Sequence, residues 1–180
     1  EYGQKQDMKS LIIDLRNNSG GMLTASEKLA ARFTNKEICV GYMQHKTGPG
    51  HNDFSDMVEQ RLKPSTGLRW QKRMVVLTNR AVYSAANEFV KYMKCCPGVT
   101  VVGDKTGGGA GMPYSSELPI GWSVRFSACP MYDTDKQSTE FGIEPDYYAS
   151  LDQADVLQGK DTIIEYARRL LNNGTATDNK

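Results

Sequence analysis

Three observations predict an α/β fold with a largely parallel sheet. Ser10-Leu-Ile-Ile-Asp-Leu15, Met74-Val-Val-Leu77 and Val99-Thr-Val-Val-Gly103 are short, near-continuously apolar runs, the pattern of strands buried on both faces. Segments with apolar residues at helical spacing alternate with them. No repeat and no linker divides the chain, so the units belong to one layered core.

The 180 residues suit one compact domain, read here as a folded core over 1–174 and a disordered tail over 175–180. Charged residues make up 24% and the formal net charge is +1, which offers no basic field for nucleic acid or an acidic membrane surface. No apolar run approaches the length of a membrane span. Glu1 to Lys9 is polar and the first strand follows at once, so a piece of a longer protein is expected. Cys39, Cys95, Cys96 and Cys129 lack paired metal spacing, and the adjacency of Cys95 and Cys96 suits neither a shared metal nor a simple disulfide. Buried thiols are expected, with no metal and no cofactor.

After the first strand, Arg16-Asn-Asn-Ser-Gly-Gly21 is a tight loop whose paired glycines can take positive φ or admit a ligand close to the backbone. A helix over 24–33 places Leu23, Ser26, Leu29, Ala30 and Phe33 on one face, with Asn35 as its stop. Residues 37–44 alternate as a strand. His45 to Phe54 is a glycine- and proline-bearing loop with both histidines, His45 and His51, at no metal spacing. Weak strand character follows at 60–62.

Met74 to Leu77 leads through a turn at Asn79 and Arg80 into a helix with Ala85, Phe89, Val90 and Met93 inward. Ser84 stands where the strand hands over to that helix. Two readings are open. A serine there is a good N-cap, although Glu88 lies one residue beyond the capping-box position. Equally, unpaired N–H groups and the positive helix end favour a developing oxyanion, which suits a nucleophile.

The run from Asp104 to Pro113 is a glycine loop without the GxxxxGK[ST] order of a phosphate cradle, and it leaves room for a peptide beside the site. Residues 115–118, 123–128 and 131–132 are expected to form one small antiparallel sheet, turning at Pro119-Ile-Gly-Trp122. A loop over 139–146 precedes a closing helix at 161–171, with Ile164, Ala167 and Leu171 inward and a frayed end from Asn172 to Lys180.

Leu11-Ile-Ile-Asp-Leu-Arg-Asn-Asn-Ser-Gly-Gly21, the stretch from Asn79 to Phe89, Val101-Val-Gly-Asp-Lys-Thr-Gly-Gly108 and Gly142-Ile-Glu-Pro-Asp146 occur in an order and spacing that resembles the S41 serine peptidases. These comprise the C-terminal-processing and tricorn core proteases. The resemblance implies a ClpP/crotonase-like core with flanking helices and a small antiparallel sheet, acting on peptide or protein substrates. It implies Ser84 as nucleophile, an oxyanion hole from Ala85 and Gly20 or Gly21, and substrate contacts at Gly107, Gly108, Gly109 and His51. The processing branch uses a lysine at the position of Gly109, and Lys105 is four residues early. The tricorn branch uses a Ser-His-Ser-Glu tetrad, for which Glu140 is the nearest glutamate, displaced one residue from the pattern. Ala85 stands where tricorn proteases carry an acidic residue that favours basic side chains.

On that resemblance the general base is expected upstream of these residues, and the chain alone to be inactive. Family habit implies a periplasmic or secreted location. The competing class is a non-catalytic S41-like binding module for an apolar ligand or peptide, with Trp122 and Phe126 lining its pocket.

Overall fold

The computed structural model describes residues 6–173, so the tail expected at 175–180 lies outside the described residues. Along the chain come β1 (Leu11–Asp14), helix α1 (Leu23–Ala30) with a 3-10 turn (Ala31–Phe33), β2 (Ile38–Met43), β3 (Val58–Leu62), β4 (Met74–Thr78) and helix α2 (Ala85–Lys94). The second half holds β5 (Val99–Gly103), β6 (Pro113–Glu117), β7 (Ser123–Ser127), β8 (Met131–Tyr132), β9 (Tyr147–Tyr148), and helices α3 (Gln153–Leu157) and α4 (Thr162–Asn172).

A parallel sheet in the order β1-β4-β5-β9 forms the centre. Its apolar strands are explained by cover on both faces. Successive side chains of a strand point to opposite sides. Met74 and Val76 of β4 therefore join Phe89, Val90 and Met93 of α2, whereas Val75 and Leu77 join Val102, Ile163 and Ala167 beneath α4. All five residues of β4 are buried. This fully buried strand delivers the chain to Ser84.

The single small sheet expected from 115–132 is two separate features. β6 and β7 form a two-stranded ribbon, and β8 instead pairs with Tyr42 and Met43 of β2, in a sheet ordered β3-β2-β8. The chain leaves the ribbon where Ala128 and Cys129 N–H both turn to the Gly111 carbonyl, and Pro130, which has no N–H, follows. The weak strand at 60–62 begins at Val58 and pairs with β2 across a bulge between Cys39 and Gly41. The closing helix buries Ile163 and Ala167, with Ile164 and Leu171 only partly covered, so its inward face is rotated from the expected one. Asp161 caps it, accepting from the N–H groups of Ile163 and Ile164.

The ends of β1 and α4 are tied by Arg16, whose guanidinium meets Asp14 at 2.7 Å and Asp161 at 2.8 Å. The hydrogen bonds from Arg16 hold the Asp14 carboxyl below its ordinary range. Burial pushes the Asp161 carboxyl up, but Arg16 and the backbone N–H groups together hold it down. Depressed folded-state pKa values contribute stability that is present above the unfolded value, about 4, and is lost as pH falls through the lowered one. Arg16→Met should therefore cost about 1 kcal/mol near neutral pH, with the deficit shrinking as pH drops below about 4. Urea titrations of both forms at pH 7 and pH 3 check this.

Candidate active site

The chain between β4 and α2 makes a sharp strand-to-helix elbow. Ser84 sits at its apex with φ 57° and ψ −126°, outside the regions that L-residues favour. Such a backbone costs about 1–3 kcal/mol and persists only where its neighbours over-determine it. Here they do. Ser84 N–H donates to the Gly108 carbonyl at 2.8 Å, Gly107 N–H to Val82 at 2.8 Å, and Tyr83 N–H to Asn18 at 3.1 Å. Ser84 stands at the N-cap position of α2, but its side chain makes no capping hydrogen bond.

The Gly20–Gly21 loop lies directly against the elbow. Gly20 has φ +100°, and a methyl built on it would fall 2.6 Å from the Tyr83 carbonyl, 2.8 Å from Ser84 Cβ and 2.9 Å from the Ala85 nitrogen. Only glycine fits. Gly20 spends its own N–H on Asn18 Oδ1 at 2.9 Å. Among the described residues the N–H groups of Gly21 and Ala85 have no acceptor, and both residues line a recess together with Ser84.

Ser84, Gly20, Gly21, Gly109, Arg125, Ser127 and Glu140 line one cleft of about 560 Å³. Both Glu140 carboxylate oxygens accept from Ser127 Oγ, at 3.1 and 3.2 Å. Ser127 also lies 3.1 Å from the Ala110 carbonyl, so the acid is joined to the glycine loop. Gly109 N–H donates to the Glu140 carbonyl at 2.9 Å, fixing the same junction from the backbone.

Of the residues singled out in the sequence, Ser84, Ala85, Gly20, Gly21, Gly109 and Glu140 gather here. Gly108 supports Ser84 through its carbonyl, and Gly107 braces Val82. His51 lies on an exposed loop outside the cleft. His45 Nδ1 lies 3.6 Å from Cys129 Sγ, and Lys105 is held by Glu144 at 2.9 Å. None of these three faces Ser84 in the cleft. Ser127 and Arg125 escaped the sequence reading, although alternation along 123–128 places both on one polar face.

Of the four thiols expected to be buried, only Cys96 is; Cys39, Cys95 and Cys129 are half-buried, and all four are free. Burial pushes Cys95 up to about 11 and Cys96 up to about 12, far from thiolate chemistry. No group of three or more His, Cys, Asp or Glu among the described residues could hold a metal ion.

The family model of peptidase family S41 matches residues 2–149. The chain belongs to peptidase family S41. A candidate peptidase from Parabacteroides merdae ATCC 43184 superposes with a TM-score of 0.92 at 49% identity, over 99% of this chain and 57% of that one. Mature CPAF matches at 0.78 and 16% identity, covering 93% of this chain and 45% of its own. The tricorn protease matches at 0.63 and 24% identity, covering 92% and 15%. The last two likenesses show the shared fold. The S41 chain thus spans little more than half of the first of these structures and less of the others. No curated protein sequence matches it.

The tight approach at Gly20 makes a simple prediction. Gly20→Ala should lower stability by about 1–3 kcal/mol, whereas Gly21→Ala, with nothing within 4 Å of its methyl, should cost less. Urea midpoints of the two variants check the order.

Proposed function

We propose that this S41 chain is the nucleophile-bearing part of a serine endopeptidase acting on peptides or unfolded proteins. The observation that carries the reading is the strained Ser84 elbow flanked by two acceptor-free N–H groups. Ser84 Oγ attacks the scissile carbonyl carbon, and the oxygen that becomes anionic is received by the N–H groups of Gly21 and Ala85. The Ser84 proton passes to a general base and from there to the departing amine as the C–N bond breaks. Water then cleaves the acyl-enzyme ester by the same route.

A serine hydroxyl needs a base within about 3 Å or one bridging water. His45, His51 and Lys105 stand elsewhere, and Glu140 is engaged by Ser127. Its position in the cleft suits orienting a base. We therefore assign the base to a part of the protein beyond these residues and expect the 180-residue chain alone to be inactive. A site of action outside the cytoplasm belongs to the same proposal and rests on the family resemblance. Among the described residues, no helix is long and apolar enough to cross a membrane.

The apolar-ligand alternative fits less well. Trp122 is 69% exposed at the tip of the β6–β7 ribbon, and the cleft carries Arg125, Ser127 and Glu140 beside Phe126. In the full-length protein, Ser84→Ala should lower peptide hydrolysis by about 10³-fold or more while circular dichroism and melting stay unchanged. Retained turnover would refute the assignment.

A further inference from the structure

The seam between β2 and β8 runs on past the ends of both strands. Tyr42 pairs with Tyr132 and Met43 with Met131, and the next step is kept by Gln44 N–H, which donates to the Pro130 carbonyl at 3.0 Å. One step further, the same antiparallel register sets His45 directly against Cys129. Residues facing each other in this way have Cβ atoms about 5 Å apart. His45 Nδ1 lies 3.6 Å from Cys129 Sγ, so the contact follows from strand register.

The backbone holds both residues in place. His45 N–H donates to Ser55 Oγ at 3.0 Å, and its carbonyl accepts from Ser55 N–H at 2.9 Å. Cys129 N–H donates to the Gly111 carbonyl at 2.9 Å. Lys46, next in the chain, commits its ammonium to the Gly50 and His51 carbonyls and the face of the Phe54 ring. His45 is exposed and Cys129 half-buried, so a small solute reaches the pair.

The other three thiols have different partners. Cys95 and Cys96 donate to the carbonyls of Lys91 and Tyr92, each at 3.4 Å, and a backbone carbonyl is no base. Cys39 lies 3.8 Å from the Gly41 carbonyl and beside the Glu59 carboxylate, a negative group already paired with Arg61 at 2.9 Å. Among these four, Cys129 alone faces an imidazole, whose ring nitrogens accept and return protons.

We propose that Cys129 and His45 form a thiol–imidazole pair that reacts with small disulfides, making Cys129 the site of S-thiolation in this protein. His45 Nδ1 removes the Sγ proton, and Sγ attacks one sulfur of the disulfide. The original S–S bond breaks as a new one forms to Cys129, and the departing thiolate takes the proton back from His45. One thiol and one disulfide enter, and one of each leaves. Burial pushes the Cys129 thiol up, so thiolate is scarce near neutral pH and the neighbouring base governs the rate. An S–S bond of about 2.0 Å directed at Nδ1 would not fit in the 3.6 Å gap, so the adduct parts the pair. It then stands at the root of the β6–β7 ribbon, two residues from Ser127 and its contact with Glu140. The assignment does not depend on the role of Ser84.

The test treats the reduced full-length protein with hydroxyethyl disulfide near pH 7 and follows each cysteine by peptide mass spectrometry. Cys129 should gain the hydroxyethylthio group about tenfold or more faster than Cys39, Cys95 or Cys96, and Cys129→Ser should remove that fast adduct. His45→Gln should slow modification of Cys129 by about tenfold with the circular dichroism spectrum unchanged. That gap should narrow steadily up to about pH 10, as the thiol ionises without help, whereas a packing role would shift the rate by one factor at every pH. If His45→Gln fails to fold, the order of the four cysteines in the wild type decides. An unmodified Cys129, faster reaction at another of the four, or a His45→Gln rate equal to wild type or offset by a constant factor across pH would overturn the proposal.

Discussion

The arrangement depends on the backbone of Ser84 being held at φ 57°. Strain of about 1–3 kcal/mol at one residue is tolerable only when rigid elements enforce it. The enforcement comes from three sides: the fully buried β4 behind, the parallel pairing of Tyr83 with Gly108 on one flank, and the Gly20 backbone pressed against the other. Relaxing the elbow into a helical conformation would require moving the central strand or the glycine loop. Among the described residues the Gly21 and Ala85 N–H groups have no acceptor, and both residues line a recess with the strained serine.

A buried polar network extends this rigidity to the acid. Asn87, fully buried in the first turn of α2, donates to the Thr139 carbonyl at 3.2 Å and accepts from Thr106 Oγ1 at 2.6 Å. Thr106 Oγ1 in turn accepts from Ile143 N–H at 2.7 Å. Helix α2, the glycine loop and the segment that bears Glu140 are therefore pinned to each other. In a low-dielectric interior such satisfied networks resist rearrangement, because each broken bond would strand a buried polar group.

Much of this was legible in the sequence, and the exceptions have physical causes. Continuous apolar runs revealed β1, β4 and β5 because both faces of the sheet are covered. Ser84 and the paired glycines were visible because a strand-to-helix turn and positive φ leave strong local signals. Two-residue strands do not, so β9 went unseen and β8 was assigned to the wrong sheet, its partner β2 lying far away in sequence. Ser127 was hidden because its role comes from a contact with Glu140, which local pattern cannot report. No local pattern marks Glu88 and Lys91 as buried, because their cover comes from Gln60 of β3 and from Thr139, both distant in sequence.

The central claim is that the elbow and the two free N–H groups form a preorganised site for an oxyanion. A crystal structure of the full-length protein with a peptidyl boronic acid tests it most directly. The account predicts a bond from Ser84 Oγ to boron, with one boronate oxygen about 2.7–3.1 Å from the nitrogens of both Gly21 and Ala85. A boronate attached to another residue, or one whose oxygens lie away from both nitrogens, would contradict it.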